Sequence, residues 1–256
     1  MAGNDFLVIA HRGASGYLPE HTLEAKAYAH ALGADYIEQD VVATRDNELI
    51  VLHDIHLDRV TDVAERFTGR QRENGRYYVR DFDLAEIRSL NVHERRQSDG
   101  ITAVFPNRFP TTVGKFRVST LREEIRFIQG MNKSTGRDVG IYTEIKSPAF
   151  HKGDGVDISL LTLQLLDDLG YHSKKDPIFV ECFDATEMRR IRHELGCQLK
   201  LAQLIDDNDS LESDTDYPRL KTRDGLVDIA RSVDAIGPNI GHIVNPASVD
   251  GRLVST

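Results

Sequence analysis

Two dipeptides and two short alternating runs carry the side chains that could do chemistry. His11-Arg12 follows the apolar run "FLVIA", and His53-Asp54 closes "LIVLHD". Glu38 and Asp40 lie in "DYIEQDVVAT", and Glu144 and Lys146 lie in "GIYTEIKSP". Side chains alternate faces along a strand, so Glu38 and Asp40 project together, as do Glu144 and Lys146. Parallel strands covered on both faces normally read as nearly continuous apolar runs. A carboxylate there carries a large desolvation penalty, relieved by protonation, by pairing or by a metal.

Three carboxylates, Glu38, Asp40 and Glu144, converging with Lys146 suit a cation site. Oxygen donors favour a hard ion such as calcium or magnesium. A buried salt-bridge network between Lys146 and the acids is the alternative that spacing leaves open. His11 and His53 at strand ends facing such a cluster could exchange protons near neutral pH, one as base and one as acid. Arg12 offers a planar fork for phosphate oxygens and Lys146 a point charge. A metal, two proton carriers and two cations point to phosphoryl transfer. Glu20 and His21 begin the following helix and could orient a neighbour, although capping and packing account for His21. His30, His56, His93, His151, His172 and His193 read as solvated or local to loops, and His242 is undecided. There is no G-x-x-x-x-G-K-[ST] loop and no G-x-S-x-G elbow, which disfavours nucleotide hydrolysis and serine esterase chemistry.

The elements that must hold these groups alternate. "FLVIA" reads as a strand, followed by a helix from Thr22 that carries Leu23, Ala27 and Ala31 and stops at Gly33. "DYIEQDVVAT" comes next and, after the turn at Asp46-Asn47, "LIVLHD". "GIYTEIKSP" is a fourth strand, leading to a helix with Ile158, Leu161, Leu165 and Leu169. "IFVECFD", a helix opened by a capping-box pattern of Asp184 and Glu187, "LKLAQLI" and "VDAIGP" complete the set. This order predicts parallel strands with helices outside, and an eight-fold barrel with its reactive groups at the strands' C-terminal ends. Residues 55–119 break the rhythm. They are rich in Arg, Asp, Gly and aromatic residues, as in "RFTGRQRENGRYYVRDFD", with one short helix from Asp83 to Leu90. They read as an insertion over one end of the barrel, either a substrate lid or a variable surface excursion. "IDDNDSLESDTD" reads as a solvated loop.

The bulk properties agree with one enzyme domain. The chain has 256 residues, 40% of them apolar, enough to bury a substantial core. A net charge of −9 with mixed signs argues against a nucleic-acid partner and for a soluble enzyme. No apolar run approaches the roughly 20 residues that span a bilayer. "FLVIA" is too short for a signal-peptide core, so stable membrane insertion is not expected. Cys182 and Cys197 read as two buried thiols in preference to a disulfide, and they lack cysteine partners at zinc-ribbon spacing.

The stretch "AHRGASGYLPEHTLEAKAYAHALGADYIEQDVVATRDNELIVLHD" resembles glycerophosphodiester phosphodiesterases, particularly the periplasmic bacterial type. The resemblance continues through "LDRVTDVAERF", "GRYYVRDFDLAEI", "GIYTEIKSP", "FVECFDATEMRRI" and "LAQLI", nearly the whole chain. It implies a TIM-type (β/α)8 barrel spanning 1–256 as a single domain, with a family insertion after the third strand. It implies hydrolysis of small glycerophosphodiesters, such as glycerophosphocholine, to glycerol 3-phosphate and an alcohol. It implies His11 and His53 as acid and base, Glu38, Asp40 and Glu144 as metal carboxylates, and Arg12 and Lys146 as phosphate contacts. Calcium is the implied metal, with magnesium common among relatives, and the periplasm the implied location.

One departure is at the C-terminus, where the family continues past "DGRLVST" with a last strand and helix; the expectation is a barrel lacking both. Glu181, Phe183 and Gln203 are expected at the barrel mouth, where they could choose among head groups. Two other functions compete. One is a phosphodiesterase of phospholipid or sphingolipid head groups, against which the polar insertion argues. The other is a non-catalytic surface binding protein, against which the retained interior charges argue.

Overall fold

The computed structural model describes residues 6–209, 213–245 and 254–255. These fall into two compact units, Met1–Ile178 and Phe179–Thr256. In the first unit the elements run β1 (Ile9–Ala10), α1 (Leu23–Leu32), β2 (Tyr36–Ala43), β3 (Leu49–Val51), α2 (Val63–Arg66), α3 (Leu84–Ile87), α4 (Leu121–Thr135), β4 (Gly140–Ile145), α5 (Pro148–Gly153) and α6 (Ile158–Asp168).

β2 is the spine of this unit. One edge pairs in parallel with β4, from Tyr36↔Gly140 to Val41↔Ile145. The other edge is shared: β1 pairs in parallel at Tyr36 and Ile37, and β3 pairs antiparallel at Val41, Val42 and Ala43. β1 and β3 therefore lie end to end along β2. The chain leaves β1 at His11-Arg12 and leaves β3 at His53-Asp54, both beside Glu38 and Asp40. An uninterrupted strand on this edge would have no room for those turns.

This layout corrects two expectations. "LIVLHD" was expected as a parallel strand, but β3 is antiparallel, because the connection 44–48 suffices only for a hairpin and a parallel return needs a dozen residues or more. "FLVIA" yields only a two-residue strand, with Phe6, Leu7, Val8 and Ile9 exposed. Among the described residues β1 pairs with β2 alone, so its side chains lack a second covering neighbour.

α1 has the expected bounds. Thr22 caps it by accepting from the Ala25 N–H at 3.2 Å, and Gly33 ends it at φ 97°. Its buried stripe is not the expected one. Ala25, Lys26, Ala29 and His30 face inward, and Ala31 is exposed. α4, which the apolar pattern did not reveal, is set by a capping box between Thr120 and Glu123 and by Gly136 at its end, and it buries Leu121, Glu124, Ile125 and Ile128.

Residues 55–119 carry their own core. Leu57, Val60, Val63, Tyr77, Val79, Phe82, Ile87, Leu90, Val92, Phe116 and Val118 pack with Val42 of β2 and Ile50 of β3. The expected helix from Asp83 to Leu90 begins as expected, with the Asp83 N–H donating to Glu86 Oε2 at 3.0 Å, but as α3 it stops at Ile87.

In the second unit β5 (Ile178–Cys182), α7 (Ala185–His193), β6 (Lys200–Ile205), α8 (Tyr217–Leu220), α9 (Arg223–Ile229) and β7 (Ala235–Pro238) follow in turn. β6 pairs in parallel with β5 and with β7, through Val180↔Leu201 and Leu204↔Gly237. Asp184 caps α7, accepting from the Thr186 and Glu187 N–H groups. Glu187 does not complete the expected box, because its carboxylate pairs with Arg190 at 2.8 Å. Cys182 and Cys197 are buried thiols with no disulfide between them.

Of the "IDDNDSLESDTD" segment, residues 210–212 lie outside the described residues. Of "DGRLVST" only 254–255 are described, forming β9 (Val254–Ser255) against β8 (Val244–Asn245). Among the described residues no helix is long and apolar enough to cross a membrane.

Candidate active site

The site in the first unit grows from the point where β1, β2, β3 and β4 come together. Parallel register places Asp40 beside Glu144, both buried. Glu38, two residues back on β2, faces the same way. Its Oε2 accepts the Arg12 backbone N–H, which pins the turn after β1. Arg12 has φ 61°, His21 φ 60° and Ser147 φ 43°. Each such left-handed residue costs about 1–3 kcal/mol, and each stands in or next to a site position. The His21 N–H donates to the Arg12 carbonyl at 3.0 Å, holding two of them together.

Positive groups surround the acids. Arg12 Nε is 3.7 Å from Asp40 Oδ2. Lys146 Nζ is 2.8 Å from Glu144 Oε1, 4.0 Å from Asp40 Oδ1 and 3.5 Å from His53 Nε2. His53 turns Nδ1 to Asp54 Oδ1 at 2.5 Å. Arg12, Glu38, Asp40, His53, Glu144 and Lys146 thus share one cluster. His11 keeps an exposed edge and lies within electrostatic reach of Asp40, His53 and Glu20.

The acids are not equivalent. Burial raises Glu38 well above the usual carboxylate range, and Asp40 adds to the effect. Burial likewise raises Glu144, against the pull of Lys146. For Asp40 burial is outweighed by His53, Lys146 and the His21 hydrogen bond, which hold it well below. Packing around His11, with the adjacent Arg12, lowers its pKa to about 4. One group is thus anionic, two resist ionisation, and a neutral imidazole stands nearby.

Three buried atoms here have no hydrogen-bond partner among the described residues: Glu38 Oε1, Asp40 Oδ1 and Arg12 Nε. Two are oxygen acceptors and one is a cationic donor. Buried polar atoms are seldom left so. A hard divalent cation fits the two oxygens, and it would lower the raised pKa values of Glu38 and Glu144. Ligand atoms of His21, Glu38 and Asp40 lie within 4.8 Å of one another.

Sequence reasoning offered Glu20 and His21 as groups that could orient a neighbour, but it missed Lys26 and Arg95 behind this cluster. His21 is buried and bonds Asp40 Oδ2 through Nε2 at 2.7 Å, so it does more than cap. Lys26, fully buried on α1, stands 3.2 Å from His21 Nδ1 and 3.0 Å from Glu124 Oε1 of α4. Arg95, from the segment 55–119, meets Glu20 at 2.6 Å and Asp54 at 2.7 Å. Only the Thr120/Glu123 capping box signalled α4, and nothing local signalled Arg95.

Of the histidines expected in solvent or loops, His93 lies in a loop but is buried, and His30 and His151 are buried on helices. His30 meets Asn132 Oδ1 at 3.0 Å, His93 the Glu94 carbonyl at 2.8 Å, and His151 accepts the Ala43 N–H at 3.1 Å.

Glu181, Phe183 and Gln203 belong to the second unit. Glu181 and Gln203 are buried on adjacent strands, with Cys182 in register with Gln203. Gln203 Nε2 donates to the carbonyls of Phe183 and Leu204 at 2.9 and 2.8 Å, so its amide nitrogen is engaged by backbone.

The glycerophosphoryl diester phosphodiesterase family matches residues 11–256. A glycerophosphodiester phosphodiesterase of Haemophilus influenzae is 46% identical over 258 residues, covering 94% of this chain and 71% of that protein. One from Treponema pallidum is 41% identical over 249 residues, covering 91% and 70%. Among solved structures, a putative glycerophosphoryl diester phosphodiesterase from Silicibacter pomeroyi aligns with a TM-score of 0.71 at 23% identity, covering 92% of this chain and 76% of that one. An Oleispira antarctica phosphodiesterase, solved in complex with the product sn-glycerol-3-phosphate, aligns with a TM-score of 0.58 at 18% identity, covering 91% and 83%. At those identities the likeness is one of fold. The fold class is the α/β barrel type expected from the alternation of strands and helices, and the acid-lined strand ends suit a phosphodiesterase. The chain belongs to the glycerophosphoryl diester phosphodiesterase family and is a glycerophosphodiester phosphodiesterase.

Proposed function

We propose that this enzyme hydrolyses glycerophosphodiesters, glycerophosphocholine among them, to glycerol 3-phosphate and an alcohol in a reaction that needs a divalent cation. Glu38, Asp40 and Glu144 would hold the cation, with calcium the expected ion and magnesium the substitute. The observation that supports this most is the trio of partnerless buried atoms, two acceptors and one donor, around β2. When bound, the cation neutralises phosphate charge and polarises the P–O bonds.

Arg12 Nε and the Lys146 ammonium receive phosphoryl oxygens, and Arg12 is oriented for this by Glu20, 3.3 Å from Nη1. His11 serves as base. Its pKa near 4 keeps it neutral at pH 7, ready to take the proton of the glycerol hydroxyl that attacks phosphorus. His53 serves as acid, delivering a proton from Nε2 to the departing alcohol while Asp54 supports the charged ring through Nδ1. Water then opens the cyclic phosphate with the two roles exchanged. A periplasmic site of action belongs to the same proposal, on the likeness to the periplasmic type.

A coupled assay for glycerol 3-phosphate tests it, using glycerophosphocholine with calcium and then with chelator. Either His11→Ala or His53→Ala should lower kcat by about 10²-fold or more while calcium binding persists. Undiminished turnover in chelator, or in both alanine variants, removes the mechanism.

A further inference from the structure

We infer that Arg95 is a positioning residue that sets both ends of the reaction centre at once, through Asp54 behind His53 and through Glu20 behind Arg12. This rests on the acid–base role proposed for His53. Arg95 lies in the segment 55–119, far in sequence from both acids, yet its side chain is only 9% exposed. Its guanidinium makes a two-point contact with Glu20, Nη2 to Oε1 at 2.6 Å and Nε to Oε2 at 3.1 Å. Its remaining terminal nitrogen, Nη1, donates to Asp54 Oδ2 at 2.7 Å.

A guanidinium is planar and rigid, so contacts from three of its nitrogens fix two carboxylates in one frame. Each carboxylate passes the orientation on. Asp54 presents its other oxygen to His53 Nδ1 at 2.5 Å. Asp54 is held well below the ordinary carboxylate range, burial being outweighed by His53 and Arg95, so it accepts and Nδ1 carries the proton. That leaves His53 Nε2 as the working nitrogen. Glu20 places both oxygens 3.3 Å from Arg12 Nη1, which turns Nε of Arg12 toward Asp40. Lysine could satisfy either acid but not both in one plane. The insertion, on this account, contributes a fixed strut to the site.

The test separates the two arms. kcat and KM are measured for Arg95→Met with glycerophosphocholine and saturating calcium, alone and combined with Asp54→Asn or Glu20→Gln. Arg95→Met should lower kcat about tenfold or more and raise KM several-fold, misplacement on this scale being costly. With Asp54→Asn already present its kcat effect should vanish while the KM effect stays. With Glu20→Gln present the reverse should hold. Proton spectra of the resting protein should show the His53 Nδ1–H signal shifted downfield by its short hydrogen bond to Asp54, and that signal should move upfield in Arg95→Met. Should the methionine variant fail to fold, Arg95→Lys supplies the same split. Additive losses in both double variants, or an unchanged Nδ1–H signal with wild-type kcat, would overturn the inference. His53→Ala run alongside keeps the two ideas apart. Near-normal turnover there defeats the acid–base reading, and a dead His53→Ala beside an unaffected Arg95→Met defeats only the strut.

Discussion

His21 Nε2 lies 2.7 Å from Asp40 Oδ2, and the tautomer that makes this a hydrogen bond is dictated from behind. Lys26 Nζ stands 3.2 Å from His21 Nδ1. An ammonium only donates, so Nδ1 accepts and the ring proton sits on Nε2, facing Asp40. Burial and the Lys26 charge lower the His21 pKa to about 3, keeping the ring neutral. Lys26 in turn pairs with Glu124 at 3.0 Å, both side chains fully buried.

Lys26→Met should therefore destabilise the protein by about 3–5 kcal/mol, the cost of breaking one side of a buried pair. Joint replacement by Lys26→Met and Glu124→Leu should recover most of that loss, because no buried charge is then left alone. Urea unfolding of the three variants checks it. A double variant as unstable as the single would mean that Glu124 is not the counter-charge.

The cation proposal has a consequence that needs no catalysis. A ligand that binds the folded chain alone stabilises it by RT ln(1 + [L]/Kd), about 2.7 kcal/mol at a hundredfold excess over Kd. Calcium should raise Tm by several degrees, and chelator should reverse it. Glu38→Gln, which removes the charge behind one partnerless oxygen, should abolish the rise while the variant stays folded. An undiminished rise in Glu38→Gln would place the ion elsewhere.

How much of this was legible in the sequence depends on the range of the contact. Glu38 with Asp40, and Glu144 with Lys146, could be read because strand alternation is local and charges in covered strands stand out. Helix ends at Thr22, Gly33, Asp83 and Asp184 were legible for the same reason. The direction of β3 was readable in principle from the short 44–48 connection, but the expectation of uniform parallel strands overrode it. α1 misled because its buried stripe includes Lys26 and His30, whose partners Glu124 and Asn132 lie about a hundred residues away on α4. A helical apolar pattern cannot report a buried face made of paired polar groups. Arg95 was invisible likewise, since Glu20 and Asp54 are its neighbours only in the folded chain.

Gly13, directly after His11-Arg12, tests how tightly that turn is held. Its φ is 81°, and a Cβ there would meet the Ala25 carbonyl carbon at 3.0 Å and the Ala25 oxygen at 3.1 Å. The obstacle is helix backbone, which cannot rotate away. Gly13→Ala should cost about 2–3 kcal/mol, from left-handed strain plus the displaced contact. It should also lower kcat, because His11 and Arg12 shift with the turn. Thermal unfolding and steady-state kinetics give both numbers, and a variant as stable and active as the parent would show that the turn has slack.

Glu20 ties the site to the acid stability of the fold. Its carboxyl is held down to about 2 from 4.5, since the Arg95 hydrogen bonds and charge outweigh burial. A folded-state pKa below the unfolded one adds stability that is complete above pH 4.5 and fades as pH falls toward 2. The shift corresponds to about 3 kcal/mol at neutral pH, of which roughly 2 kcal/mol should be gone by pH 3. Glu20→Gln has no proton to take up. Its deficit against the parent should therefore shrink between pH 6 and pH 3 in urea unfolding. A deficit that stayed constant across that range would show that Glu20 titrates alike in the folded and unfolded chain, and that Arg95 does not hold it.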